Sequence, residues 1–161
     1  MRIILLGNAG AGKSTMARRL MQGLSVPHLS LDEIAWGQGA ERKPFEESVQ
    51  VLRKFLDDNE HWIIEGCYSD LVEVALPFCE ELRFLNPGIE VCVDHCLKRP
   101  WEPEKFPTEK EQQEMLANLV AWVREYETRS DEYGLHRHRL LFEHFSGKKR
   151  EYKRIDEYIE G

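Results

Sequence analysis

The chain has 161 residues, 42% of them hydrophobic and 32% charged, and a formal net charge of −7. That length suits a single domain over residues 1–161, with a core large enough to hold without disulfides or structural metal. An acidic balance argues against a dedicated nucleic-acid surface, which needs a basic face to neutralise phosphates. The basic cluster of Lys148, Lys149, Arg150, Lys153 and Arg154 is too short to reverse it. No stretch approaches the roughly 20 apolar residues of a membrane span. The opening apolar run stops at a Gly-rich loop with no small-residue cleavage site, so a cytoplasmic protein is expected.

Arg2–Leu6 is almost wholly apolar and ends in glycine, as does a strand buried on both faces of a parallel sheet. Lys13–Leu24 follows with helical spacing of Met16, Leu20 and Leu24. His28–Leu31 is read as a second strand, Pro44–Asp58 as a helix and Trp62–Ile64 as a third strand. Asp70–Phe78 is a short helix and Glu81–Leu85 a fourth strand, closed by the turn Asn86-Pro87-Gly88. Strands alternating with helices predict an α/β fold, a parallel sheet of about five strands covered on both faces and joined by right-handed crossovers.

The second half is less regular. Ile89–Lys98 is expected to be helical, and Arg99–Thr108, with three prolines, is a long loop. Glu109–Arg129 is the longest predicted helix, His136–Phe145 another, and Glu151–Ile155 a short edge strand. Cys67, Cys79, Cys92 and Cys96 lack paired C-x-x-C spacing and are read as free, buried thiols. His136, His138 and His144 lie among arginines and aromatics and are read as surface residues.

The strongest chemical signal is Gly7-Asn8-Ala9-Gly10-Ala11-Gly12-Lys13-Ser14, followed by Thr15. It satisfies G-x-x-x-x-G-K-[ST] at every defined position, directly after a buried strand and before a helix. Glycines let the backbone curl so that successive N–H groups point at phosphate oxygens, and the helix N-terminus adds partial positive charge. Lys13 is expected to reach the β- and γ-phosphates of ATP, and the Ser14 hydroxyl to ligate Mg²⁺.

With this loop, Leu29-Ser30-Leu31-Asp32 and Trp62-Ile63-Ile64-Glu65-Gly66-Cys67-Tyr68, the chain resembles the P-loop small-molecule and nucleoside-monophosphate kinases. That group includes shikimate kinase, gluconate kinase and adenylate-kinase-related proteins, among them those called topology modulation proteins. The resemblance covers the N-terminal two-thirds and implies the three-layer P-loop NTPase fold with a helical or loop lid. Shikimate-kinase-like enzymes carry Asp-x-Asp after the second strand, the first acid serving the metal and the second the acceptor hydroxyl. Ser30 and Asp32 stand at those positions, so Asp32 is kept as the acceptor-side acid while the metal acid is missing. A carboxylate suits that place because it accepts the hydroxyl proton as attack begins.

Glu65 follows the third strand, so its carboxylate is expected at the sheet edge where ligands of open parallel sheets bind, holding Mg²⁺ through water or binding the acceptor. Gly66 then lets the backbone pass close to substrate. Kinases of this group supply cations from a lid, and Arg99, Arg124, Arg129, Arg137 and Arg139 are the candidates. Arg99 leads because it opens the predicted lid segment 99–108, where Trp101 and Phe106 are placed to anchor closure. Gly147-Lys148-Lys149 falls where related kinases put a loop beside the adenine. No Asn-Lys-x-Asp guanine-reading segment is present. The expectation is an ATP-dependent phosphotransferase acting on a small metabolite or nucleoside monophosphate. A non-catalytic ATP-binding module and a nucleic-acid end kinase are the alternatives.

Overall fold

The computed structural model describes residues 1–37 and 41–159. Among them, one five-stranded, wholly parallel sheet has the order β2-β3-β1-β4-β5. Its strands are β1 (Arg2–Gly7), β2 (His28–Ser30), β3 (Trp62–Gly66), β4 (Glu81–Leu85) and β5 (Lys148–Tyr152). The helices are α1 (Lys13–Leu20), α2 (Asp32–Ala35), α3 (Phe45–Asp58), α4 (Ser69–Ala75), α5 (Ile89–Leu97), α6 (Glu109–Arg124) and α7 (Leu135–His144). The fold is thus the expected α/β arrangement.

Side-chain alternation along the strands builds two cores. On one face Ile4, Leu6, Trp62, Ile64, Leu82 and Phe84 pack with Ile34 and Ala35 of α2, Val49 and Leu52 of α3, and Leu71, Val72 and Ala75 of α4. Leu141 and Phe142 of α7 join them. On the other, Ile3, Leu5, Ile63 and Leu85 meet Met16 and Ala17 of α1, Cys92, Val93 and Cys96 of α5, and Val123 of α6. Burial on both faces is why β1, β3 and β4 read as continuous apolar runs rather than alternating ones.

Several boundaries differ from those the sequence suggested. Helix α1 stops at Leu20, short of Leu24, which is exposed; Gly23 then takes a left-handed φ of 74°. Helix α6 ends at Arg124, and residues 125–128 form a turn. The last strand is β5, three residues earlier than Glu151–Ile155, and Ile155–Ile159 is instead a 3-10 helix. Edge position explains the disguise: Lys148 and Lys149 are exposed charged residues of the kind that protect a sheet edge. They therefore lie on a strand rather than in a loop, whereas the chain after β5 reaches the Gly-rich loop. Cys67, Cys92 and Cys96 are buried thiols, and Cys79 is half-buried.

Candidate phosphate-binding and acceptor site

The loop between β1 and α1 emerges at the C-terminal edge of the central strand, flanked by β3 and β4. Gly10 and Gly12 have φ of 80° and 95°, a region that L side chains rarely adopt. A Cβ on Gly10 would also collide with the Cys92 carbonyl of α5, and one on Gly12 would lie 3.0 Å from the Tyr158 ring. Two side chains fix the loop carbonyls from outside. The His95 Nδ1–H donates to Gly10 O at 2.7 Å and the Tyr158 hydroxyl donates to Ala11 O at 2.6 Å. Asn8 braces it further, accepting from Ala9 N at 2.9 Å and donating to Val123 O at 3.2 Å.

Lys13, buried at 9% exposure, folds its ammonium back onto the loop and donates to Gly7 O at 3.0 Å and Asn8 O at 2.7 Å. Ser14 and Thr15 are exposed on the first turn of α1. Glu65 is in register with Leu5 on β1 and Ser30 on β2. Leu5 packs against α1, so Glu65 lies on that same face, and it is only 4% exposed. His28 Nε2 stands 3.9 Å from its carboxylate. The residue thus occupies the sheet edge as a buried acid, not as a solvated loop charge. Gly66 meets Leu31 closely: a Cβ there would lie 2.8 Å from the Leu31 Cβ, which gives this glycine a packing reason.

Asp32 is exposed at the start of α2, and its Oδ1 accepts from the hydroxyl of Tyr68, which is 2% exposed. The Trp36 Nε1–H donates to that hydroxyl oxygen at 2.7 Å. Cys67, next to Tyr68, is a buried free thiol. Burial pushes its thiol up to about 12, Lys13 acts against that rise, and Asp32 and Glu65 add to it. Tyr68 enters the sequence reading only as the last residue of the Trp62–Tyr68 segment, and Trp36 not at all, because no motif or period marks the contact between Tyr68 and the residue after α2.

The candidate cations separate clearly. Arg124 pairs with Glu90, Arg139 with Glu151, and Arg129 with both oxygens of Asp131 at 2.8 and 2.7 Å. Arg137 is exposed on α7. Arg99 is exposed just beyond α5; burial raises the thiol of Cys96, with Arg99 acting against that rise, and the Cys96 Sγ would lie 2.9 Å from a Cβ on Gly10. The segment 99–108 has neither helix nor strand, yet it is held at its base. Gln112 donates to Pro100 O at 3.0 Å and accepts from Glu102 N at 2.7 Å. Trp101 is 42% exposed, with its indole N–H on Phe106 O at 3.0 Å.

His138 corrects the surface reading of the histidines. It is fully buried, accepting from the Tyr126 hydroxyl at Nδ1 and donating from Nε2 to Cys67 O, both at 2.7 Å. Burial lowers its pKa to about 4, so the ring is neutral at pH 7. His136 and His144 are exposed.

No family model matches the chain. An adenylate kinase of Clostridium novyi is 33% identical over 122 residues, 74% of this chain and 52% of that protein. An adenylate kinase of Finegoldia magna is 39% identical over 54 residues, 34% of this chain and 22% of that one. One of Streptomyces griseus is 50% identical over 34 residues, 21% of this chain and 94% of that sequence. The chain spans about half the length of the Clostridium relative and less of the Finegoldia one. With a complete phosphate-binding loop on the central strand, the sheet order β2-β3-β1-β4-β5 and these relatives, the chain belongs to the P-loop nucleotide-kinase group.

Proposed function

We propose that the protein is an ATP-dependent phosphotransferase whose acceptor, a small metabolite or nucleoside monophosphate, binds at the Asp32 end of the site. The observation that carries this reading is the placement of Lys13 in the loop after β1, Glu65 at the end of β3 and Asp32 directly after β2, at the same ends of neighbouring strands. A phosphate-binding cation and an acceptor-side carboxylate thereby share one sheet edge. The name of the relatives supports the same class of reaction.

In this reading the N–H groups of the loop from Gly7 to Ser14 hold the phosphates, and Lys13 exchanges Gly7 O and Asn8 O for phosphate oxygens. The Ser14 hydroxyl, with Glu65 through water, forms an all-oxygen donor set that suits Mg²⁺. Glu65 thus supplies, from the neighbouring strand, the carboxylate that Ser30 lacks. Mg²⁺ when bound neutralises charge on the phosphates. Asp32 and Gly66 line the acceptor side, and Asp32 orients the acceptor. Arg99 meets charge on the transferred group when the segment 99–108 closes as a lid over a single domain. No helix among the described residues is long and apolar enough to cross a membrane, which fits a cytoplasmic enzyme.

The test is ATP consumption against a panel of nucleoside monophosphates, sugar acids and polyols, with Lys13→Ala as control. Acceptor-dependent ADP release that vanishes in Lys13→Ala supports the kinase. Tight Mg-ATP binding without transfer to any compound would favour a binding module.

A further inference from the structure

The backbone of Glu65 is fixed, and its side chain is what remains to be aimed. The residue sits in the ladder between β1 and β2, and its carbonyl accepts from the Leu31 N–H at 2.9 Å. The carboxylate hangs beyond that ladder on a flexible stem. Among the described residues the basic side chain paired with it is His28, whose Nε2 stands 3.9 Å from Oε1. Lys13 is engaged elsewhere, on Gly7 O and Asn8 O. That His28 Nε2 is buried and, among the described residues, has no hydrogen-bond partner. A buried acid, 4% exposed, and a buried, unpartnered nitrogen thus face each other, about 1 Å beyond hydrogen-bond distance. Each is costly left alone, and a small turn of the Glu65 side chain satisfies both.

His28 reaches this carboxylate from behind. Register pairs His28 with Ile63 and Ser30 with Glu65, so His28 and Glu65 share the face that packs on α1. His28 stands about 6–7 Å farther from the edge that carries the phosphate-binding loop, at about 3.3 Å per residue. From there it touches Glu65 and not a nucleotide. With Ser30, and not an acid, in register beside Glu65, the aim of the metal-side charge rests on this one side chain. We propose that His28 is the positioning residue for Glu65: a hydrogen bond from Nε2 to Oε1 holds the carboxylate and leaves Oε2 to serve Mg²⁺ through water, together with Ser14. This rests on the reading of Glu65 given above. An imidazole that fixes a carboxylate, which in turn orients metal-bound water, tunes affinity from outside the ligands, because the ordering of the acid is done before the metal arrives.

The test titrates Mn²⁺, whose unbound ion is counted by electron paramagnetic resonance, into the full chain with saturating ADP. No acceptor is needed, so the outcome does not depend on which compound is phosphorylated. Two variants separate the donor from the shape. His28→Gln puts an amide N–H about where Nε2 stands and loses the ring, whereas His28→Phe keeps the ring and loses the donor. Glu65→Gln is expected to weaken Mn²⁺ in the ADP complex by about 10-fold or more and His28→Phe by about 3- to 10-fold, with His28→Gln within about twofold of the wild type. Added to Glu65→Gln, His28→Phe has no further effect, because His28 acts only through Glu65. ADP without metal binds all variants alike. Should His28→Phe fail to fold, His28→Leu, which likewise has no donor, takes its place. Wild-type Mn²⁺ affinity in His28→Phe, or an equal loss in His28→Phe and His28→Gln, makes His28 a packing residue and overturns the inference. Additive losses in the double variant overturn it too. Wild-type Mn²⁺ affinity in Glu65→Gln overturns the reading of Glu65 on which it rests, and ADP that fails to bind the wild-type chain overturns the nucleotide site itself.

Discussion

The ammonium of Lys13 lies 2.7 Å from the carbonyl oxygen of Asn8, which also accepts from the Ala11 N–H at 3.1 Å. The loop is therefore held in its curled form by its own lysine, ready to exchange those carbonyls for phosphate. Mg-ATP is expected to stabilise the fold: at ligand a hundredfold above Kd the linkage is about 2.7 kcal/mol, a rise in Tm on the order of 5–10 °C. Lys13→Ala should remove the rise. A melting curve unmoved by millimolar Mg-ATP would contradict ATP binding, and a larger shift with GTP would reassign the base.

Gly10 tests the packing of the loop rather than its charge. Its φ of 80° and the Cys92 carbonyl in the place of a Cβ leave no relaxed position for a methyl group. Gly10→Ala is expected to cost on the order of 2 kcal/mol or more and to abolish the Mg-ATP shift, because the Cys92 carbonyl is backbone and cannot swing aside. Urea unfolding reads the first effect and calorimetric titration the second. Wild-type stability would mean that α5 sits farther from the loop.

The N-terminal half was legible because each signal agreed with the next. A run buried on both faces, then Gly-x-x-x-x-Gly-Lys-Ser, then a helix, left one reading for residues 2–20. Elsewhere signals were withheld for physical reasons. Strand β5 carries Lys148 and Lys149 at a sheet edge, so charge masked it. Helix α2 is only four residues long, too short to show a period. His138 gave a signal that was overlooked: Leu135, Leu141 and Phe142 lie three and four residues from it, the spacing of a shared buried face. The bond between Trp36 and Tyr68 gave none, since it exists only once β2 and β3 are side by side.

His138 makes stability depend on pH. The unfolded imidazole titrates near its ordinary 6.5, and the folded one near 4. Between these values the unfolded chain binds the extra proton, so stability is fully present above pH 6.5 and is lost as pH falls toward 4. The shift corresponds to about 3 kcal/mol. Urea unfolding from pH 7.5 to 4 should show this slope, and His138→Gln, which keeps polar contacts but does not titrate, should flatten it. An unchanged slope in the variant would assign the pH dependence to other groups.

Arg99 tests closure. It is exposed just beyond α5, and the segment it opens is pinned by Gln112 at its base but free of helix and strand. If its charge meets the transferred group only on closure, Arg99→Ala lowers turnover by on the order of 10²-fold while barely changing ATP affinity. Wild-type turnover would remove Arg99 from the site. Protection of residues 99–108 from protease by ATP plus acceptor, and not by ATP alone, would support closure independently.

Tyr158 tests whether the loop is preorganised from outside. Its hydroxyl holds the Ala11 carbonyl at 2.6 Å in a buried place, and Arg19 in turn donates to the Tyr158 carbonyl at 3.3 Å. The peptide between Ala11 and Gly12 is planar and trans, so fixing its C=O on one side aims the Gly12 N–H at the other, toward the phosphates. Tyr158→Phe keeps the ring against Gly12 and its edge contact with Tyr152, whose centre is 5.8 Å away. It leaves the Ala11 carbonyl unpaired, a cost of about 1–3 kcal/mol in stability. It also lets that peptide turn, so part of the ordering now falls on nucleotide binding. A loss of about tenfold in Mg-ATP affinity is expected, equivalent to about 1.4 kcal/mol. ADP should weaken by the same factor, because the Gly12 N–H belongs to the loop that holds both nucleotides, whereas loss of a lid contact would weaken ATP alone. A variant that melts earlier but binds both nucleotides as the wild type does would show that Tyr158 anchors the C-terminal segment without shaping the loop.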